Sequence, residues 1–210
     1  MRAALSIPPL SVFLVGMMGA GKSTVGARLA RRLEREFIDV DRELEARLGV
    51  DIPTVFDLEG EDGFRRRESA LVCELAHRTG LVVATGGGVV LRAANREALA
   101  AHGLVIYLKA DPGDLWQRLR RDRHRPLLRT EDPRQRVREL VEQRDPLYQE
   151  VADHVVGTGR QPADHAVESI ISWLSRPECA ERARLKAPTL THVPDVPAMP
   201  ARPVEPARDP

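Results

Sequence analysis

The 210-residue sequence is poor in aromatic residues and cysteines, and it has no long uninterrupted apolar segment. Because Phe, Trp and Tyr make up only 4% of the chain, the core of a folded domain must consist mainly of Val, Leu, Ile and Ala. No apolar run approaches the roughly 20 residues of a membrane-spanning helix, and residues 1–9 lack the basic start and apolar stretch of a signal peptide. The two cysteines, Cys73 and Cys179, are far apart and unpatterned, so we expect a reducing, cytoplasmic compartment rather than a disulfide.

The sequence also lacks an excess of charge of either sign. Its 32 Lys and Arg residues and 31 Asp and Glu residues give a net charge of +1 at pH 7. A near-neutral chain does not bind nucleic acid or an anionic membrane by bulk electrostatics, so we expect neither as a partner. The basic residues are almost all arginine, as codon bias in a GC-rich genome would produce, and lysine stands only at positions 22, 109 and 186. The lysine at position 22 is therefore notable.

That lysine belongs to residues 16–24, which fit the pattern G-x-x-x-x-G-K-[ST] of a phosphate-binding P-loop. A strand-length apolar run precedes the pattern, and residues 24–36 follow it with apolar residues on one helical face. Glycines let the backbone approach phosphate oxygens, and the N–H groups at the start of the helix attract the anion. This context favours a nucleotide-binding site over the alternative, an inert glycine-rich turn.

Specific roles follow for the P-loop residues. We expect Lys22 to place a cation on the β- and γ-phosphates and the Ser23 hydroxyl to bind Mg²⁺ directly. The other ATP contacts expected in this loop are Gly19, Ala20, Gly21 and Thr24.

Short apolar runs alternate with amphipathic segments along the rest of the chain. Strands are predicted at residues 11–15, 37–38, 81–84, 104–108 and 155–156, and helices at 24–36, 42–48, 53–58, 61–78, 93–102, 112–119, 133–148 and 163–174. This alternation predicts an α/β fold in which helices cover both faces of a mostly parallel sheet and ligands bind at the carboxyl ends of the strands.

The chain is long enough for one domain, which we expect at residues 10–176. Residues 1–9 are predicted to be a loose lead-in. Residues 177–210 are rich in Pro, Ala and Arg and hold eight of the sixteen prolines, so we expect a disordered tail.

Two carboxylates, Asp39 and Asp41, stand at the end of the second predicted strand. One of them could hold Mg²⁺, directly or through water, and the other could accept a proton from a substrate hydroxyl. The alternative is that an Asp serves only as the N-cap of the helix that starts near Arg42.

Two further segments suit a phosphate site. The glycines at 86–88 follow a buried-type strand and would let backbone N–H groups approach a polar ligand, or they could form a flexible turn. The segment 118–129 is dense in arginine and suggests a mobile lid that brings guanidinium groups onto the transferred phosphate, although most of these arginines should be solvated surface. It lacks the interleaved aromatic residues of a nucleic-acid site.

Six segments, in this order and at these spacings, resemble the shikimate kinase family. They are residues 16–24, 37–41 (FIDVD), 63–65 (GFR), 86–88 (GGG), 125–128 (RPLL) and 144–148 (RDPLY). The likeness covers about residues 10–174 and leaves the tail unexplained. It implies a nucleoside-monophosphate-kinase-like fold, with three α/β/α layers around a five-stranded parallel sheet and a mobile lid. The implied reaction transfers the γ-phosphoryl group of ATP, bound with one Mg²⁺ ion, to the 3-hydroxyl of shikimate in chorismate and aromatic amino-acid biosynthesis.

On the nucleotide side, the resemblance implies that Asp39 lies near Mg²⁺, through water. It implies that Arg125 is a catalytic lid arginine on the phosphates and that Arg118 stacks near adenine. The family's adenine loop corresponds to the region that holds Arg160 and Gln161.

On the acceptor side, the resemblance implies that Asp41 binds the shikimate hydroxyls and acts as the base. Arg65 and Arg144 match the pair that holds the substrate carboxylate, and the glycines at 86–88 match those that line the pocket. The chemistry agrees, because Arg fits a carboxylate bidentately and an ionised Asp accepts from hydroxyls. A nucleoside monophosphate would instead place a dianionic phosphate near Asp41.

Three alternatives stand beside this interpretation. The chain could be a P-loop kinase of another small polyhydroxy acid, such as gluconate. It could be a non-catalytic nucleotide-binding regulator, although such a protein needs neither Asp41 nor Arg125. A GTPase switch is a third option, but the sequence has no Asn-Lys-x-Asp segment to recognise guanine. We expect a monomer with ATP and shikimate as its small-molecule partners.

Overall fold

The computed structural model describes residues 8–120, 126–128, 130–159 and 161–186. Five strands form one sheet in the order β2-β3-β1-β4-β5, and every pair of neighbouring strands is parallel. The strands are β1 (Ser11–Val15), β2 (Glu36–Asp39), β3 (Leu81–Ala84), β4 (Gly103–Lys109) and β5 (His154–Gly157). This confirms the predicted five-stranded parallel α/β fold and all five predicted strand positions.

Eight α-helices accompany the sheet within the described residues. They are α1 (Lys22–Leu33), α2 (Val40–Leu48), α3 (Ile52–Ala76), α4 (Ala93–His102), α5 (Pro112–Leu119), α6 (Pro133–Val151), α7 (Ala163–Leu174) and α8 (Pro177–Leu185). Short 3₁₀ turns cover Val89–Leu91 and Pro126–Leu128. The core fills the space between sheet and helices, and β1, the middle strand, is buried at every residue. Its aliphatic residues pair with β3 on one side and β4 on the other.

Four helices, α1, α2, α3 and α6, differ in their bounds from the sequence-based prediction, and two of the differences have a cause in the backbone. Helix α1 begins at Lys22 rather than at residue 24, because Gly21 has a φ of 94° and turns the P-loop directly into the helix. The two helices predicted at 53–58 and 61–78 form one element, α3, with a break at Gly60. Gly60 has φ 69° and ψ −179°, a backbone conformation that is essentially restricted to glycine.

The prediction of a disordered tail is wrong for its first residues, because residues 177–185 form α8. Cys179 and Ala183, four residues apart on one face, are buried. Arg182 and Lys186 bind the carboxylate of Asp153, which also accepts a hydrogen bond from the Val105 N–H at 2.8 Å. Residues 187–210 lie outside the described part of the chain.

The last two residues of the predicted lead-in, Pro8 and Pro9, are hydrogen-bonded to the domain and are not loose. The Pro8 carbonyl accepts from Arg35 Nη2 at 2.5 Å, and the Pro9 carbonyl accepts from the Gly80 N–H at 2.8 Å. These bonds join the start of the domain to the turns before β2 and β3. Residues 1–7, and half of the predicted lid with them (121–125 and 129), lie outside the described residues.

The strand order explains where a site can form. Because the strands are parallel and β3 lies between β2 and β1, the carboxyl ends of these three strands lie side by side at one edge of the sheet. In the register of the sheet, Ala84 at the end of β3 pairs with Leu14 of β1 and with Asp39 of β2. The P-loop, the carboxylates and the glycines at 86–88 therefore leave the sheet as neighbours.

Candidate active site

The P-loop wraps around the side chain of its own lysine. Lys22 Nζ donates to the carbonyl oxygens of Gly16 at 2.8 Å and Met17 at 2.9 Å, and the lysine side chain is buried. Gly16 has a φ of 143°, and a Cβ there would lie 2.5 Å from the Leu108 carbonyl oxygen, so no other residue fits. Local sequence thus fixes a cation at the start of α1, where the helix N-terminus also favours an anion.

The hydroxyl of Ser23 and the carboxylate of Asp39 lie together beside the P-loop. Ser23 Oγ donates to Asp39 Oδ2 at 2.6 Å. Asp39 Oδ1 accepts from the N–H groups of Asp41 and Arg42, so Asp39 is also the N-cap of α2, as the alternative interpretation of this pair had it. One oxygen caps the helix while the other faces Ser23.

These two side chains fit a magnesium ion that arrives with ATP. Both supply hard oxygen ligands, the type that Mg²⁺ prefers, and Mg²⁺ usually takes only one or two protein groups together with phosphate oxygens and water. Among the residues that the structure describes, no group of three or more His, Cys, Asp or Glu side chains could hold a metal by itself. The donor set therefore matches a nucleotide-dependent ion rather than an all-protein metal site.

Two cavities meet at the carboxyl edge of the sheet. The first, about 420 Å³, is lined by the P-loop and by Asp39, Thr158 and Gln161. The second, about 350 Å³, lies between α2, α3, α6 and the glycines at 86–88. Its lining combines four carboxylates, two arginines and a group of apolar residues: Asp41, Glu45, Asp51, Glu68, Arg65, Arg144, Ile52, Pro53, Phe56, Phe64 and Leu127.

Among the residues that the structure describes, three line both cavities: Met18, Asp41 and Gly87. Of these, only Asp41 has an ionisable side chain. A phosphate donor in the first cavity and an acceptor in the second would therefore meet at this carboxylate. The sequence-predicted roles of Asp39 and Asp41 are separated in space, since Asp39 lines the first cavity alone.

Arg65 is held by carboxylates of its own helix. Its Nη1 donates to Glu68 Oε2 at 2.7 Å, and its Nη2 donates to Glu61 Oε1 at 3.1 Å. Glu68 is 0% exposed, and its other oxygen, Oε1, has no hydrogen-bond partner. Burial raises the pKa of the Glu68 carboxyl, and the Arg65 charge opposes that rise. A fully buried carboxylate that keeps one free oxygen at a cavity wall orients Arg65 and adds a polar group to the site.

Sequence reasoning missed Glu68. It stands three residues after Arg65, and residues three apart on a helix are neighbours on its surface. That spacing was the signal that could have found it. Its burial, however, depends on the glycines that pack against α3 from a different part of the chain.

The three glycines lie close to charged side chains and to the P-loop, and none of them has an unusual backbone angle. A Cβ on Gly86 would lie 2.4 Å from Glu68 Oε1, and a Cβ on Gly88 would lie 2.2 Å from Arg65 Nη2. A Cβ on Gly87 would lie 3.1 Å from the Met18 nitrogen of the P-loop. The segment therefore packs flat against the charged residues of α3, which argues against a merely flexible turn.

Arg144 approaches the same segment from α6. Its Nη1 donates to the Gly87 carbonyl at 3.0 Å, and its buried Nε has no hydrogen-bond partner. Burial lowers the pKa of Arg144 and the nearby charge of Arg65 acts in the same direction, yet a guanidinium stays protonated in proteins. Arg65 already pairs with Glu61 and Glu68, whereas Arg144 bonds to a neutral carbonyl, so Arg144 leaves more positive charge available to an anionic ligand in this cavity.

Arg118 joins the P-loop to the loop after β5. Its Nη1 donates to the Gly19 carbonyl at 2.9 Å, and its Nη2 donates to the Thr158 carbonyl at 2.5 Å and also to the Gly159 carbonyl. Gln161, a predicted ATP contact, lines the first cavity with the P-loop. Arg125 and Arg160, the other predicted contacts, lie outside the described residues. Within the described ranges, no helix is long and apolar enough to cross a membrane.

The fold and this pair of cavities define a P-loop kinase that phosphorylates a small molecule. The sequence model of the shikimate kinase family matches residues 18–175. The chain therefore belongs to the shikimate kinase family, whose members are ATP-dependent kinases.

Individual relatives agree with this assignment. The chain is 53% identical to the shikimate kinase of Burkholderia lata over 167 residues, which cover 80% of this chain and 91% of that protein. It is similar to the solved structure of a shikimate kinase from Acinetobacter baumannii in complex with shikimate, with a TM-score of 0.77 and 45% identity over 81% of this chain and 94% of that one. A gluconokinase structure from Sinorhizobium meliloti matches with a TM-score of 0.56 and 22% identity over 85% of this chain and 98% of that one, which shows a shared fold alone.

Proposed function

We propose that this protein transfers the γ-phosphoryl group of ATP to the 3-hydroxyl of shikimate, and that the residues described above carry the reaction. The observation that supports the residue assignment best is the position of Asp41 on the wall shared by the nucleotide cavity and the arginine-lined cavity. A single carboxylate at this junction can contact the acceptor hydroxyl while the phosphates lie on the other side.

The acceptor cavity has the chemistry of a hydroxylated carboxylic acid. Arg65 and Arg144 would bind the carboxylate, since guanidinium groups match it with paired hydrogen bonds. Phe56 and Phe64, with ring centroids 4.8 Å apart, supply an apolar side for the carbon ring. Asp41 would accept hydrogen bonds from hydroxyls, which disfavours a second phosphate as the acceptor.

In the proposed step, the bond between the γ-phosphorus and the β–γ bridging oxygen breaks as the substrate oxygen bonds to that phosphorus. ADP leaves, and Asp41 takes the hydroxyl proton late in the transfer. Lys22 would stabilise the charge on the β- and γ-phosphates. Ser23 and Asp39 would hold Mg²⁺, Asp39 through water, and the ion neutralises phosphate charge when it is bound.

The remaining predicted roles stay proposals. We expect Arg118, with Gln161 and the backbone of residues 19–24, to bind the rest of ATP. Arg125 and Arg160 are expected to act from segments beyond the described ranges, Arg125 as part of a lid that closes over the phosphates. A monomeric state and a cytoplasmic location remain predictions of the sequence.

A coupled assay that follows ADP formation tests the proposal. We expect turnover with ATP, Mg²⁺ and shikimate, and little turnover when gluconate replaces shikimate. Phosphorus NMR of the product should place the phosphate on the 3-oxygen. Preferential turnover of gluconate, or ADP formation that does not depend on shikimate, would reject the assignment.

A further inference from the structure

Two side chains of α6 bind the same backbone oxygen. Arg144 and Tyr148 stand one helical turn apart, and both are buried. Tyr148 Oη donates to the Gly87 carbonyl at 2.5 Å, and Arg144 Nη1 donates to that carbonyl at 3.0 Å. A carbonyl oxygen has two lone pairs, so α6 uses the full accepting capacity of this one group.

The shared carbonyl belongs to the glycine that lines both cavities. Gly87 packs against the P-loop so closely that a Cβ would lie 3.1 Å from the Met18 nitrogen. Tyr148 Oη also lies 3.7 Å from Met17 Sδ. The phenol therefore stands where helix α6, the glycine segment and the P-loop meet.

The phenol is a hydrogen-bond donor under ordinary conditions. Burial raises the pKa of Tyr148, and the neighbouring Arg144 charge only partly offsets that rise. The hydroxyl thus stays protonated and, with a single proton, donates it to the stronger acceptor, the Gly87 carbonyl.

This arrangement bears on Arg144. Its guanidinium is oriented by the bond to the Gly87 carbonyl, and its Nε is buried without a hydrogen-bond partner. If the Gly87 peptide rotated, Arg144 would lose the hydrogen bond that orients its guanidinium group. The hydroxyl of Tyr148 opposes such a rotation, because it anchors the same carbonyl from the same helix.

We infer that Tyr148 is a positioning residue for the acceptor carboxylate, which it serves by fixing the Gly87 carbonyl that orients Arg144. The inference rests on the proposed function, which assigns Arg144 to the substrate carboxylate. Tyr148 contacts no reacting atom in this scheme; its effect passes through Gly87 and Arg144.

The chain contains a matched control, because its only other tyrosine stacks on Tyr148. The rings of Tyr107 and Tyr148 have centroids 4.9 Å apart. Tyr107 Oη donates to Asp145 Oδ1 at 2.6 Å and does not bond to Gly87. Replacing either tyrosine with Phe removes one buried hydroxyl and one hydrogen bond, but only one of the two substitutions frees the Gly87 carbonyl.

The experiment compares Tyr148→Phe and Tyr107→Phe with the wild type in steady-state kinetics. The loss of one net hydrogen bond corresponds to about a threefold to tenfold change in affinity, so we expect Tyr148→Phe to raise KM for shikimate by that factor. KM for ATP should stay unchanged, and kcat should fall by less than about twofold, because the carboxylate is bound equally in the ground and transition states. Tyr107→Phe should keep both KM values. The difference in KM between Tyr148→Phe and the wild type should disappear when shikimate carboxamide is the substrate, because it has no carboxylate for Arg144 to bind.

Several results would overturn the inference. One is an unchanged KM for shikimate in Tyr148→Phe beside an active wild type. Others are an equal rise in KM for ATP, which would place the effect in the P-loop, and an equal rise in Tyr107→Phe, which would show a general packing defect. A wild-type enzyme that fails to phosphorylate shikimate would instead overturn the proposed function.

A second measurement does not depend on how well Tyr148→Phe folds. In Tyr107→Phe protein grown with 3-fluorotyrosine, the single ¹⁹F signal comes from position 148. We expect this signal to shift when shikimate saturates the protein, because binding at Arg144 polarises the shared carbonyl. A signal that does not move would overturn the inference.

Discussion

The hydroxyl of Ser23 donates to Asp39 Oδ2 at 2.6 Å, which joins the first residues of the P-loop helix to the end of strand β2. Asp41, two residues further on, instead lies on the wall between the two cavities. Two carboxylates that are close in sequence therefore have different partners. Their substitution should separate metal-dependent effects from effects on the acceptor.

We expect Asp41→Asn to lower kcat by about 10²–10⁴, the usual cost of losing a general base, with MgATP binding nearly intact. The amide keeps the size of the side chain but cannot take a proton. Asp39→Asn is the matched control. It should weaken the binding of Mg²⁺ more than the affinity for shikimate. Steady-state kinetics over a Mg²⁺ series measures both. If Asp41→Asn kept more than about a tenth of wild-type kcat, the assignment of the base would be wrong.

Arg144→Ala should weaken acceptor binding. A hydrogen bond to a charged group contributes about 1.5–3 kcal/mol, so KM for shikimate should rise by about tenfold to a hundredfold. ATP affinity, measured by titration without shikimate, should change by less than about threefold. Equal losses for both ligands would mean that Arg144 supports the fold rather than the carboxylate.

Gly88→Ala should displace Arg65, because the added Cβ would lie within 2.3 Å of three atoms of its guanidinium group. We expect KM for shikimate to rise by about tenfold, as for a weakened charged hydrogen bond. Gly113→Ala in α5 is the control, since a Cβ there meets nothing within 4 Å. That change should leave KM alone and stabilise the fold by about 0.4–1 kcal/mol. Identical kinetics for the two variants would show that the close approach at Gly88 has no functional role.

Deletion of α8 should destabilise the domain. A chain that ends at Arg176 loses the burial of Cys179 and Ala183 and leaves Asp153 without its two cations. We expect the free energy of unfolding to fall by about 2 kcal/mol, which corresponds to a fall in Tm of about 4–8 °C for a domain of this size. A chain that ends at Lys186 keeps α8 and should melt as the full chain does. Calorimetry of both truncations provides the comparison, and equal melting temperatures would mean that α8 contributes nothing.

Protonation of His102 should lower stability in mild acid. Burial, together with the charge of His77 beside it, lowers the pKa of His102 below the usual value of 6.5. The unfolded chain then binds the proton more readily, so stability is fully present above about pH 6.5 and falls as the pH drops below it. His102→Asn should reduce this fall between pH 7 and 5 in thermal melts. A variant whose pH dependence matches the wild type would exclude His102 as the cause.

The sequence by itself determined the P-loop, the parallel sheet and the family motifs. The positions of Lys22 and Ser23 could be predicted because their geometry is local: a strand, a short glycine-rich turn and a helix N-terminus bring the cation and the hydroxyl together within nine residues. Alternating apolar runs and amphipathic segments fixed the five strands for the same reason. The resemblance added Arg65 and Arg144, which no local pattern distinguishes from other arginines.

Tertiary structure decided what these groups contact. Tyr148 was not predicted because its partner, the Gly87 carbonyl, becomes a neighbour only when α6 packs against the segment after β3. Glu68 contacts Arg65 on its own helix, but its burial requires the glycines after β3. Helix α8 was missed for a related reason. Its composition suits a solvated tail, and it is held by Asp153, a buried carboxylate 29 residues before Arg182 that needs cations from outside its own segment. Local sequence determines backbone geometry. The partners of a buried charge, in contrast, can be distant in sequence and become its neighbours only in the folded domain.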